Sequence, residues 1–173
     1  MALPARKLEL LNYANITDST AILGTQEALT SFDRSVTLAA NSVRAGDIYE
    51  VEGTIVHTAT TGAETHDIQI GFGGATLLTV ATIDPADGDV FYFRLRVIFR
   101  TVGATAAIQV DGIFVSGVPG TATARAVRTD AQTVDTTASM LVSAKIDRQA
   151  AAADADSAFL ENFTVSKLQA FAA

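Results

Sequence analysis

The segment "DVFYFRLRVIFRTV", residues 89 to 102, constrains the fold more than any other. Phe91, Phe93, Leu95, Val97 and Phe99 recur at every second position. Tyr92, Arg94, Arg96, Ile98 and Arg100 fill the positions between them. A helix advances about 100° per residue and would scatter the phenylalanines around its whole circumference. A strand places them on one face and the arginines on the other. An apolar face of this length must be covered by a second apolar layer, so the strand belongs to a packed sheet.

The same period of two runs through most of the chain. In "DIYEVEGTIV" Tyr49, Val51, Gly53 and Ile55 point one way, and Glu50, Glu52 and Thr54 the other. Weaker alternation marks strands over residues 34–40, 66–72, 75–83, 104–118, 121–129, 137–146 and 157–168. Gly, Pro, Asn and Asp turns separate them, at Ala45-Gly46-Asp47, Thr61-Gly62, Gly73-Gly74, Pro85 to Gly88, Val102-Gly103 and Pro119-Gly120. Many strands, short polar turns and almost no helical pattern predict an all-β protein. The expected fold is an antiparallel, jelly-roll-like β-sandwich of about eight strands, since several strands are long for an immunoglobulin-like domain. Residues 1–30 lack this periodicity and read as an N-terminal arm with one short strand, leaving 31–173 as the sandwich domain. "RQAAAADAD", residues 148–156, reads as a helical turn or a loop.

Composition narrows the function. Hydrophobic residues make up 49% and charged residues 18% of the 173, enough apolar mass for one folded domain. No apolar run reaches the length of a membrane-spanning helix, and no membrane partner is expected. The net charge of −7 argues against a nucleic-acid partner, because such binding rests on cations that neutralise phosphates. With no cysteine, disulfides, thiolate metal sites and thiol nucleophiles are excluded. The start, "MALPARKLELLNYANI", lacks the apolar core of a secretory signal, so folding in the cytoplasm of whatever cell makes it is expected.

Several clusters have the residue types of a site. Asp84, Asp87 and Asp89 crowd one turn with Gly88, as oxygen ligands for calcium would. Their spacing departs from an EF-hand loop, and Asp-Pro and Asp-Gly are ordinary turn formers, so no metal site is assigned. Glu50 and Glu52 lie about 7 Å apart on one strand face, but alternation alone produces that pair. His57 and His66 flank "TATTGAET" and are expected to meet across a hairpin as exposed edge residues. Two imidazoles are too few for zinc without Glu64 or Asp67. "GFGG", residues 71–74, sits between strands rather than before a helix, which makes it a bend rather than a phosphate loop. No catalytic set emerges, and the chain is expected not to be an enzyme.

Arg94, Arg96 and Arg100 form the most distinctive polar set. They either pair across strands with Glu50, Glu52 or Asp111, or dock onto an acidic partner. A second expected interface lies in the arm, where Leu8, Leu10 and Leu11 follow Arg6 and Lys7 with no strand or helix period. Apolar residues so arranged are expected to pack on a neighbouring subunit or a shell, with the two cations meeting carboxylates there.

"SVTLAANSVRAGDIYEVEGTIV", followed by "IQIGFGGATLLTVATIDPADGDVFYFRLRVIFRTVGATAAIQVDGIFVSG", resembles virion structural proteins of tailed bacteriophages. The likeness covers residues 34–118 and echoes through 146. It lies in the order of turns and strands: an Ala-Asn turn, a Gly-Asp strand start, a Gly-rich turn, then paired long strands. The resemblance implies a capsid decoration (cement) protein on the virion surface, without cofactors. Its implied partners are the major capsid protein and further copies of itself, often as a trimer. The alternative it leaves open is a tail-fibre, spike or carbohydrate-binding sandwich that touches the host. Exposed Trp or Tyr platforms usually serve sugar sites, and this chain has no Trp and 3 Tyr.

Overall fold

The computed structural model describes residues 12–15, 19–23, 30–58, 66–83, 88–117, 123–148 and 157–169. Within them are eleven strands and no helix. In chain order they are β1 (Asn12–Asn15), β2 (Ile22–Leu23), β3 (Thr30–Leu38), β4 (Ile48–Thr58), β5 (His66–Phe72) and β6 (Ala75–Ile83). There follow β7 (Val90–Phe99), β8 (Ala106–Gly117), β9 (Thr123–Val134), β10 (Met140–Arg148) and β11 (Ser157–Gln169). The chain is all-β, as its periodicity predicts. The nine segments with period two each form a strand, and the two further ones, β1 and β2, lie in the expected arm, for which one short strand is expected.

Two antiparallel sheets face each other. The larger runs β1-β11-β4-β7-β8-β9, with β2 also on β11, and the smaller runs β3-β10-β5-β6. The alternation of β7 sets the inner face of the large sheet: Phe91, Phe93, Leu95, Val97 and Phe99 are all fully buried. Ile68, Ile70, Phe72, Val142 and Ile146 line the facing side of the small sheet. Tyr49, Phe72 and Phe99 join the two layers edge to face, with ring centroids 5.7 to 6.1 Å apart. Each such ring contributes about 1.5–3 kcal/mol through burial, plus a smaller geometric term.

Local chemistry fixes the connections. Gly73 and Gly74 both take positive φ, 57° and 88°, which suits the right-handed twist of the β5–β6 hairpin. "GFGG" is therefore a hairpin turn. Gly46, at φ 87°, turns the chain into β4, and its N–H donates to the Phe99 carbonyl at 2.7 Å. At the same end of the sandwich, the buried Thr136 hydroxyl accepts from the Gly103 N–H at 2.8 Å. The Thr136 carbonyl accepts from Asn41 N–H, so one residue joins three loops.

β1 and β2 both join the large sheet through β11. Asn12 to Asn15 pair with Phe163 to Ser166. The β11 ladder to β4 is irregular between Leu160 and Asn162. There the Leu160 N–H donates to Ser19 Oγ, while Ser19 N–H donates to the Leu160 carbonyl, both at 2.8 Å. Next in sequence, Thr20 donates through its hydroxyl to Asp33 on β3 at 2.7 Å. Residues 19 and 20 thus tie one sheet to the other along their common side.

Candidate functional site on the outer face of the large sheet

Strand register gathers most of the polar residues singled out in the sequence onto one surface. β4 and β7 pair Glu50 with Arg96, Glu52 with Arg94, and Thr54 with Tyr92. β8 sets Asp111 beside Arg96 and Ile113 beside Arg94. β9 adds Arg128 beside Asp111 and Ala126 beside Ile113. Because successive side chains alternate, all of these project from the side away from the core.

The contacts within this surface run diagonally. Arg94 grips Glu50 with two nitrogens, Nε to Oε2 at 2.8 Å and Nη2 to Oε1 at 3.1 Å. Arg96 Nε reaches the same Oε2 at 3.6 Å. Tyr92 donates its hydroxyl to Glu52 Oε1 at 2.9 Å. Only the Nη2–Oε1 contact has hydrogen-bond geometry; at Oε2 the two Nε atoms are close charge partners without a hydrogen bond. The Glu50 side chain is only 11% exposed beneath the two guanidiniums, which remain 47% and 55% exposed. Partial burial, and then the hydrogen bond to Glu52, push the Tyr92 phenol up to about 12. The hydrogen bond and charge of Glu50 hold the Arg94 guanidinium more firmly protonated than usual.

Arg94 and Arg96 therefore satisfy the cross-strand expectation through Glu50. Arg100 lies one residue beyond β7, and its Nη2 donates to Gln109 Oε1 rather than to a carboxylate. A shallow hollow of about 320 Å³ is lined by Arg94, Arg96, Asp111, Gly112 and Ile113. Gly112 keeps β7 and β8 close here, since a Cβ at this position would lie 2.1 Å from the Arg94 carbonyl oxygen.

His57 and His66 depart from expectation. They are not exposed hairpin neighbours: their relative exposures are 1% and 0%. His57 is the penultimate residue of the large-sheet strand β4 and His66 begins the small-sheet strand β5, and their rings meet inside the sandwich with centroids 4.4 Å apart. The chain changes sheets between them, and both follow the inward parity of their strands. Asp89 is buried beside this end, where its carbonyl accepts from the His57 N–H at 2.9 Å.

Arg6, Lys7, Leu8, Leu10, Leu11, Asp84 and Asp87 lie outside the described residues. Among the described residues, no three His, Cys, Asp or Glu side chains cluster as metal ligands. One buried ion pair went unnoticed in the sequence. Lys167 Nζ lies 2.6 Å from Asp47 Oδ2 and 5.6 Å from the Tyr49 ring centre. The 120-residue separation of Lys167 from Asp47 left no local signal of it.

No family model and no curated protein matches the chain. Among solved structures it is similar to the VP2 subviral particle of infectious bursal disease virus, at 13% identity and a TM-score of 0.34. That match covers 92% of this chain and 41% of the viral one, and so loose a likeness carries no argument about function.

Proposed function

We propose that the chain is a non-enzymatic virion structural protein, a capsid decoration protein of a tailed bacteriophage that stabilises the head through subunit contacts. The sequence resemblance over residues 34–118 supports this reading. The observation that carries it furthest is the outer face of the large sheet. Glu50 holds Arg94 diagonally and lies 3.6 Å from Arg96 across the strands, an arrangement suited to a flat contact. The buried Glu50 is spent on Arg94 and Arg96, which leaves a stiff, half-exposed guanidinium pair at the surface. Preorganised arginines beside an exposed isoleucine are what a protein–protein contact favours.

In this reading the partners are the major capsid protein and further copies of the chain, as a trimer by resemblance. The location is the capsid surface, after synthesis in the host cytoplasm. Residues 1–30 serve as the arm: 12–23 anchor it on β11, and Arg6, Lys7, Leu8, Leu10 and Leu11 reach the shell. Purified protein added to capsids stripped of their accessory proteins should sediment with them. Absence from the pellet, together with selective binding on a glycan array, would favour a host-contacting module instead.

A further inference from the structure

The row Glu50, Arg96, Asp111, Arg128 crosses four neighbouring strands in direct register and alternates in sign: minus, plus, minus, plus. An acidic partner would suit a uniformly basic patch, and this is not one. A uniformly basic partner fits no better. An even, alternating row instead matches a copy of itself turned about a two-fold axis that runs along the strands between β7 and β8. That operation sets Arg96 against the copy's Asp111 and Asp111 against the copy's Arg96. The flanks add little, because Glu50 lies buried beneath Arg94 and Arg96 of its own chain. The perpendicular in-plane axis would stack like on like, so the charge pattern selects a single arrangement.

The surroundings fit the same operation. One row along, Ile113 is 43% exposed, one of three large apolar side chains so exposed among the described residues. The axis places it on the copy's Arg94, whose guanidinium is already held by Glu50. Asp111 makes no salt bridge among the described residues, and the Arg96 it would meet is held by Glu50 only at 3.6 Å. Isologous contacts of this kind are the commonest route to a soluble oligomer.

We infer that the outer face of the large sheet, centred on Arg96, Asp111 and Ile113, is a two-fold interface with a second copy of this chain. The inference does not depend on the virion reading, and a three-fold contact would use a different surface.

The test uses the full chain and two single charge reversals, R96D and D111R. Away from a capsid shell, where no three-fold contact is templated, wild type should sediment at twice the 18.0 kDa of one chain, and each variant alone should weaken self-association about tenfold or more. An equimolar mixture of the two variants should recover the double mass, because a mixed pair restores opposite charges at both central contacts. Contacts inside one chain cannot produce that recovery. If a reversal proves unfolded by circular dichroism, Ile113→Arg serves in its place: it faces Arg94 of the copy and should leave a folded monomer. A wild-type monomer at high micromolar concentration overturns the inference. So does a mixture no heavier than its separate components, or an Ile113→Arg protein that still dimerises.

Discussion

Phe93 and Phe163 stand on either side of Gly53, their ring centroids 6.4 Å apart, in the buried face of the large sheet. Gly53 gives up a side chain so that the Phe93 ring can lie over its backbone. A Cβ at position 53 would sit 2.5 Å from Phe93 Cζ. Gly53→Ala should therefore destabilise the fold by about 1–3 kcal/mol through overpacking. Phe93→Ala should cost about 3–5 kcal/mol by leaving a cavity. Urea melts of both variants check this, and a Phe93→Ala midpoint equal to wild type would refute the assigned packing.

The Lys167–Asp47 pair is nearly dry, with side-chain exposures of 9% and 0%. Asp47 Oδ2 also accepts the Arg44 N–H at 2.8 Å, so the carboxylate stays fixed in place when the ammonium is removed. Lys167→Met should cost about 3–5 kcal/mol, because a buried carboxylate then lacks its counter-charge. Adding Asp47→Asn should recover part of the loss. Equal damage from single and double variants would show that the pair matters only through packing.

Tyr92 makes the alkaline limit of stability specific. Its folded value, about 12, lies above the ordinary 10, so the unfolded chain loses the phenolic proton first. The stabilisation is complete below pH 10 and is lost as pH rises from 10 through 12. Glu52→Ala should lower the Tyr92 transition in an ultraviolet titration while leaving it above 10, since burial is the larger cause. An unchanged titration would mean that the hydrogen bond to Glu52 is absent in solution.

Truncation separates the two parts of the N-terminal segment. Removing residues 2–11 should leave the melting temperature within a few degrees of wild type and weaken attachment to a shell. Removing residues 2–20 also deletes β1, the Ser19 bonds to Leu160 on β11 and the Thr20 bond to Asp33 on β3. That longer deletion should destabilise the sandwich clearly. Two truncations with identical melts would place Ser19 outside the cooperative fold.

Much of the fold was legible because the period of two is strong wherever a strand has one wet face. The Phe91 to Phe99 run and the Glu50/Glu52 face follow from parity alone. Strand ends were less legible: β3 begins at Thr30, four residues before the expected start, since Thr30 to Asp33 carry little apolar alternation of their own. His57 and His66 show the limit. Their parity with Ile55 and Ile68 pointed inward, but assuming a hairpin between them concealed that the chain crosses to the other sheet. The Asp47–Lys167 pair and the Ser19–Leu160 bonds join residues more than a hundred positions apart, and only the assembled sheets bring them together. On the outer face, the residue types were visible in the sequence. The charge row was not, because its order depends on β8 and β9 register.

The virion reading is tested most directly by the composition of purified particles. Phage particles from cells producing this chain should be banded on a density gradient, and their proteins quantified by mass spectrometry. The account expects this chain to co-band with the major capsid protein in a fixed ratio that survives a second gradient. A chain found only in the soluble lysate, with intact particles lacking it, would contradict the account.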